Sequence, residues 1–369
     1  MKKLYMSASP HIFSKTNTKK IMLTVTASLL PATFWGLYVF GIPAFLTILT
    51  SIVAAVFTEW LACRIFKFEL KVNDGSSVLT GLLLALTLPP ETPLAVTFAG
   101  SFFAVFFGKM IFGGLGYNPF NPALIGRAFL LASWPVYITT WKKPLREGLN
   151  MAGIPESIVN MLTERNIPQT VVDTITSATP LNALKQSLLL LKEHSLSIEQ
   201  FDTVKNALFD PGTIKNLFFG NIGGSIGEVS ALLLLLGGLL LIFTRVITWH
   251  VPVIYTSTVA ILGFVLGGRG FFDGNILFYL FSGGLFLGAF FMATDYVTSP
   301  MFPAGKVLFA VFAGILVVVI RRFGGYPEGV CYSILIMNAF VPILDRFTAP
   351  KPFGLRKKPH PRDGKEVKK

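Results

Sequence analysis

Charge is what this sequence has least of. Asp, Glu, Lys and Arg together make up 14% of its 369 residues, against roughly a quarter in soluble chains. Hydrophobic residues reach 52%, with 35 Phe, and the mean hydropathy is +0.63. A soluble core cannot hold that much apolar surface, so lipid is the solvent for much of it. A soluble enzyme, a disordered regulator and a secreted disulfide scaffold are excluded. Cysteine is nearly absent as well. Cys63 and Cys331 are the only two, too few for an iron–sulfur cluster, which takes about four ligands. Both fall in or beside apolar segments and read as small packing residues. No P-loop or dinucleotide fingerprint is present, because Gly267-Gly268-Arg269-Gly270 lies between two apolar runs rather than between strand and helix. No His, Cys, Asp and Glu cluster has metal-ligand spacing, and His250 stands alone at a span boundary as a structural residue.

The net charge of +13 sits at the ends. Lys2, Lys3, Lys15, Lys19 and Lys20 precede the first apolar run, and Arg346, Lys351, Arg356, Lys357, Lys358, Arg362, Lys365, Lys368 and Lys369 follow the last. Basic flanks of this kind mark the cytoplasmic side of a membrane. Nucleic acid is therefore not an expected partner, since no basic domain remains once the tails are explained. The N-terminus lacks a small-residue cleavage pattern, so the first span is expected to stay.

The expected fold is an all-α integral membrane protein of about ten transmembrane helices. The apolar runs are 21–40, 44–66, 76–88, 94–112 and 122–137, then 228–247, 251–266, 276–294, 306–320 and 330–344. The chain divides into a cytoplasmic basic N-terminus at 1–20, a first five-helix unit at 21–137 and a polar extracytoplasmic loop at 138–227. A second five-helix unit at 228–345 and a cytoplasmic basic tail at 346–369 complete it. Ten crossings return both termini to the cytoplasm. Arg64, Lys67, Lys71 and Arg245 fall on the inner side, whereas Arg321 and Arg322 land outside against the charge bias.

Features recur at an offset of about 200 residues. Asp74-Gly75 pairs with Asp273-Gly274, and Pro89-Pro90 with Ser299-Pro300. Gly108-Lys109 pairs with Gly305-Lys306, and the glycines before Tyr117-Asn118-Pro119 with those before Tyr326-Pro327. Five spans per half put the halves in opposite orientations, the inverted repeat found in transporters.

Within the polar loop, Asp173-Thr174-Ile175-Thr176-Ser177-Ala178-Thr179-Pro180-Leu181 is the informative stretch. Thr179 reads as a helix N-cap and Pro180 as the first helical residue. Leu181, Leu184, Leu188 and Leu191 follow at helical spacing. A helix N-terminus favours a phosphate, yet an ordinary capped helix has the same pattern.

The stretch Asp-x-x-Thr-Ser-Ala-Thr resembles the flavinylation signal of the membrane subunits of the Rnf and Na+-translocating NADH:quinone oxidoreductase complexes. Four further segments resemble the same family: 74–90, 118–129, 220–228 and 293–300. The likeness covers roughly residues 20–350, and a Ser at position 177 replaces the family's usual Gly. The length and the short basic N-terminus fit the Rnf branch. The resemblance implies FMN joined to Thr179 through a phosphoester and a second, non-covalent riboflavin in the membrane body. It also implies a flavin transferase, a partner subunit with its own covalent FMN, iron–sulfur subunits, and residence in the bacterial inner membrane. The implied activity is electron relay between ferredoxin and NAD+ coupled to Na+ or H+ transport. A quinone-reducing complex and an inverted-repeat solute transporter are the alternatives.

Around Thr179 the resemblance implies roles for Asp173, Ser177 and Ala178 in the attachment signal. Asp173 either orients the Thr for the transferase or is a solvated loop carboxylate. Gly223, Gly224 and Gly227 either let backbone approach a flavin or form the loop into span six. Asn118 and Asn121 either hydrogen-bond a flavin ring or cap broken backbone. Ionisable residues in or near spans are Glu59, Arg127, Asp273, Asp295 and Glu328, functional unless they reach water at span ends.

Overall fold

The structure is a computed structural model that describes residues 17–67, 74–139, 179–193, 197–220, 223–325 and 328–350. Every regular element among them is helical. Helix α1 (Thr18–Phe40) starts at Asn17, whose Oδ1 accepts from Lys20 N at 2.8 Å. It ends at Gly41, where a φ of 67° turns the chain directly into α2 (Ile42–Phe66). Helix α3 (Ser76–Leu86) begins where Asp74 Oδ1 accepts from Ser76 N and Oγ at 2.8 and 2.6 Å. Helix α4 (Leu94–Val105) runs into a π-helical turn at Phe106–Met110. Helix α5 (Pro122–Ser133) and the short α6 (Pro135–Thr139) follow.

Three helices come from the polar loop: α7 (Pro180–Lys192), α8 (Ile198–Leu208) and α9 (Pro211–Phe219). The second apolar set is α10 (Ala231–Phe243), α11 (His250–Leu266), α12 (Ile276–Phe281), α13 (Leu285–Leu287), α14 (Pro303–Phe323) and α15 (Val330–Thr348). A second π turn, Gly288–Met292, continues α13.

Among the described residues, α1, α2, α14 and α15 are long and apolar enough to cross a membrane. They expose Phe34, Ile42, Val53, Phe312 and Ile343, a surface that suits lipid and not water. The protein is a multi-pass membrane protein. Five further apolar helices among the described residues have 10–17 residues and fall short of a full crossing by helix alone.

Small residues let the helices approach. Ser51 Oγ donates to Gly81 O at 2.7 Å and lies 2.9 Å from Ser101 Oγ, which joins α2, α3 and α4. Helix α1 packs on α10 and α5 on α15, so both apolar sets share one core.

Two expectations change in detail. The run 276–294 is not one helix. It breaks at Ser282-Gly283-Gly284, where φ values of 70° and 62° at the glycines reverse the backbone. The run 76–88 is helical only to Leu86. Its free carbonyls are met by the chain before α10: Gly227 N donates to Leu86 O at 2.7 Å and Ile226 N to Leu88 O at 3.1 Å. That approach requires glycine, because a Cβ on residue 227 would lie 2.7 Å from Leu86 Cβ. Irregular backbone thus survives in an apolar region because protein satisfies it.

Candidate functional site

Thr179 caps α7. Its backbone is extended, and its Oγ1 accepts from Asn182 N at a long 3.4 Å. The residue is half-buried, while Pro180 and Leu181 behind it are buried. Leu181, Leu184, Phe201, Val204 and Leu208 form an apolar cluster that reaches Phe278 and Tyr279 of α12. The loop helices therefore dock on the break between α12 and α13. Lys185 donates to Gly324 O at the end of α14, and burial pulls its ammonium down to about 8. On α8, Lys205 holds Asp273 at 2.9 Å. Burial is the largest single influence on that carboxyl and would raise it. The hydrogen bond and charge of Lys205, with help from Arg269, bring it below its ordinary range. Asp273 is thus a rim residue outside the apolar core. Asp173, Ser177 and Ala178 lie outside the described residues.

Thr179 suits a phosphoester. On a half-buried residue, its hydroxyl is held by one long bond and placed at a helix N-terminus whose dipole favours negative phosphoryl oxygens.

A second site lies at the opposite end, near the start of α1 and α3. Lys109, on the π turn after α4, is 1% exposed. Its Nζ donates to Glu59 Oε1 at 2.7 Å and to Ser76 Oγ at 2.6 Å. Glu59 Oε2 has no partner. Beside this cluster is a pocket lined by Leu79, Leu83, Asn118, Asn121, Phe290, Phe291, Thr294 and Asp295, with Met22 and Val25 of α1. Asn121 caps α5 through Ala123 N at 3.0 Å and donates across to Met292 O at 3.2 Å, so it caps and also ties the start of α5 to the second π turn. Asn118 donates to Phe120 O at 3.1 Å, but its buried Oδ1 has no partner. Asp295 accepts from Thr298 Oγ1 at 3.2 Å.

The third site lies near the α12–α13 break. Arg127 of α5 donates to Thr87 O and to Glu328 ahead of α15. Arg321 donates to Tyr279 O and Ser282 O at 2.9 Å and to Gly283 O at 3.3 Å. Arg322 donates to Leu266 O and Gly268 O. The two arginines that break the charge bias are therefore caps for the carbonyl ends of α12 and α11. Glu228 sits between these groups, with Gly224 about a van der Waals contact away and Gly284 against its carboxylate. Gly223 is half-buried on the same link, and Gly227 makes the close approach, to α3.

Lys109, Glu228 and Arg321 escape sequence reasoning as site residues. Each is one charge in or beside an apolar run, and its partner is far away in sequence. Lys109 and Glu59 are 50 residues apart. A lysine inside the apolar run 94–112 was the one available signal.

The NQR2, RnfD, RnfE family model matches residues 5–354 of the chain. The D subunit of the proton-translocating ferredoxin:NAD(+) oxidoreductase complex of Clostridium ljungdahlii is 45% identical over 353 residues, covering 95% of this chain and 96% of that protein. The D subunit of the Na(+)-translocating ferredoxin:NAD(+) oxidoreductase complex of Acetobacterium woodii is 40% identical and covers 96% of both chains. The D subunit of the ion-translocating oxidoreductase complex of Stutzerimonas stutzeri is 40% identical over 92% of this chain and 93% of its own.

Proposed function

The chain belongs to the NQR2, RnfD, RnfE family, and from that premise we propose that it is the membrane flavoprotein subunit of an ion-translocating ferredoxin:NAD+ oxidoreductase complex. The observation that carries the reading is Thr179, a half-exposed N-cap hydroxyl on a helix docked against the membrane body. FMN joined there, and riboflavin in the body, supply one- and two-electron transfer. The backbone N–H groups in the first turn of α7 would hold the phosphoryl group, and the apolar packing of Leu181 and Leu184 fixes α7 against α12. Riboflavin would lie at the pocket between α1, α3 and the second π turn, whose cavity of about 80 Å³ would have to widen to admit the ring. Phe290 and Phe291 offer apolar faces, and the unpartnered Asn118 Oδ1 can accept from a ring N–H.

Ten spans in two inverted halves, with both termini in the cytoplasm of a bacterial inner membrane, remain part of this proposal. Two features support it: each apolar set contains a π turn, and Asn121 of the first set donates to Met292 O in the π turn of the second. Partner subunits, among them a second covalent-FMN subunit and iron–sulfur subunits, complete the electron path, and a flavin transferase matures Thr179. The test is NAD+ reduction by reduced ferredoxin in inverted vesicles containing the assembled complex, with ion uptake followed in parallel. Coupled uptake that vanishes in Thr179→Ala supports the reading. Exchange of electrons with quinone in place of ferredoxin moves the chain to the quinone-reducing branch. Ion flux independent of electron flow defeats it.

A further inference from the structure

Glu228 is the carboxylate at the third site for which the structure shows no ion pair among the described residues. Arg127 is already bonded to Glu328 and Thr87 O, and Arg321 is spent on three carbonyls. Around Glu228 are three buried polar atoms without a protein partner: Ser225 Oγ, Ser282 Oγ and Arg321 Nε. Their residues are 0%, 2% and 4% exposed. The Ser225 hydroxyl lies beside the Glu228 carboxylate without reaching hydrogen-bond geometry. Ser282 precedes the Gly283-Gly284 break, and Gly284 lies directly against the Glu228 carboxylate. Buried polar groups without protein partners call for water or a ligand.

We propose that Glu228 is a proton-binding site at the junction of the two apolar helix sets, beside the unpartnered hydroxyls of Ser225 and Ser282 and the carboxylate of Glu328. Its biological purpose rests on the ion-translocating reading above; its chemistry does not. An unpaired carboxylate in an apolar setting, next to the like charge of Glu328, is costly, and one proton removes that cost. A metal cation is disfavoured there, because the guanidinium charges of Arg127 and Arg321 act on the same carboxylate and Arg321 occupies the carbonyls of Tyr279, Ser282 and Gly283. Water delivers the proton, an O–H bond forms at a Glu228 carboxylate oxygen, and the same bond breaks when the proton returns to water. The charged groups acting on Glu228 are Glu328, Arg127 of α5 and Arg321 of α14. Tyr255 of α11, Tyr279 of α12 and Cys331 and Tyr332 of α15 face the two arginines.

The position gives the proton leverage. Residues 226–227 pair with the end of α3, Arg127 lies on α5, and Glu328 leads into α15. Charged Glu228 competes with Glu328 for Arg127; neutral Glu228 leaves the Arg127–Glu328 tie alone. Protonation therefore biases the contact between the two sets, which is what differential stabilisation of two states requires.

The test is labelling of the assembled complex with dicyclohexylcarbodiimide, followed by peptide mass mapping. The reagent adds to a protonated carboxyl in apolar surroundings. The carboxyl proton moves to a carbodiimide nitrogen, the carboxyl oxygen bonds the central carbon, and the product rearranges to an N-acylurea. The expected result is an adduct on Glu228 at mildly acidic pH that is lost at alkaline pH and is unaffected by sodium. It persists in Glu328→Gln and is lost in Glu228→Gln. An unmodified Glu228 at every pH, or protection by sodium over potassium, overturns the proposal. The wild-type measurement stands even if Glu228→Gln fails to assemble. Thr179→Ala complex that labels normally while lacking ferredoxin activity separates failure of the flavin reading from failure of this one.

Discussion

The two buried ion pairs among the described residues are built differently. Glu59 and Lys109 belong to one set of helices, sit 2.7 Å apart and are 3% and 1% exposed. Ser76 and Asp74 extend the pair into a chain of hydrogen bonds at the start of α3. Arg127 and Glu328 come from different sets, and a further carboxylate, Glu228, lies beside them without an ion pair. The first pair is closed in charge, one acid to one base, although Glu59 Oε2 has no hydrogen-bond partner. The second has one more acid than its local arginine needs. A closed pair holds geometry, whereas an incomplete one can change state with a proton.

Removing one member should separate the two most strongly at the closed site. Lys109→Met strands the Glu59 charge and is expected to cost about 3–5 kcal/mol, read from unfolding of the purified protein in detergent. The double variant Glu59→Gln/Lys109→Met should recover most of that loss. Glu328→Gln is next, at about 1–3 kcal/mol, because the side chain is 15% exposed and an amide can still accept from Arg127. A loss at Glu328 as large as at Lys109 would erase the distinction. Gly227→Ala should cost about 1–3 kcal/mol, since its new methyl meets Leu86 at the paired end of α3.

The smallest effect is a pH dependence away from both pairs. Lys185 loses its proton near 8 in the folded protein but near 10.4 in an unfolded chain. The folded state holds fewer protons in that interval, so stability rises with pH from about 8 to 10 and is unchanged by this group below it. A small rise in Tm over that range, absent in Lys185→Met, is the expected observation. A fall would contradict the buried placement of the ammonium.

The membrane class, the N-cap at Thr179 with Pro180 behind it, and the Gly/Pro punctuation of the spans were legible in the sequence because they depend on neighbours within a few residues. The break at Gly283-Gly284 was not, because hydropathy stays high through residues 276–294 and only the left-handed backbone reveals it. Asn121 was legible as a cap but not as the bond to Met292, which is 171 residues away. Arg321 and Arg322 looked like violations of charge bias because the rule counts charges and ignores carbonyl ends, and the structure supplies those ends at α11 and α12. Glu228 read only as the first residue of the apolar run 228–247 until packing placed Gly284 against it.

The most direct measurement of the account is mass analysis of the peptide carrying Thr179, taken from the complex matured with its flavin transferase. The account predicts FMN in phosphoester linkage on the Thr179 oxygen, and loss of that mass in Thr179→Ala with the complex still assembled. An unmodified Thr179, or flavin retained covalently elsewhere in the variant chain, would contradict it.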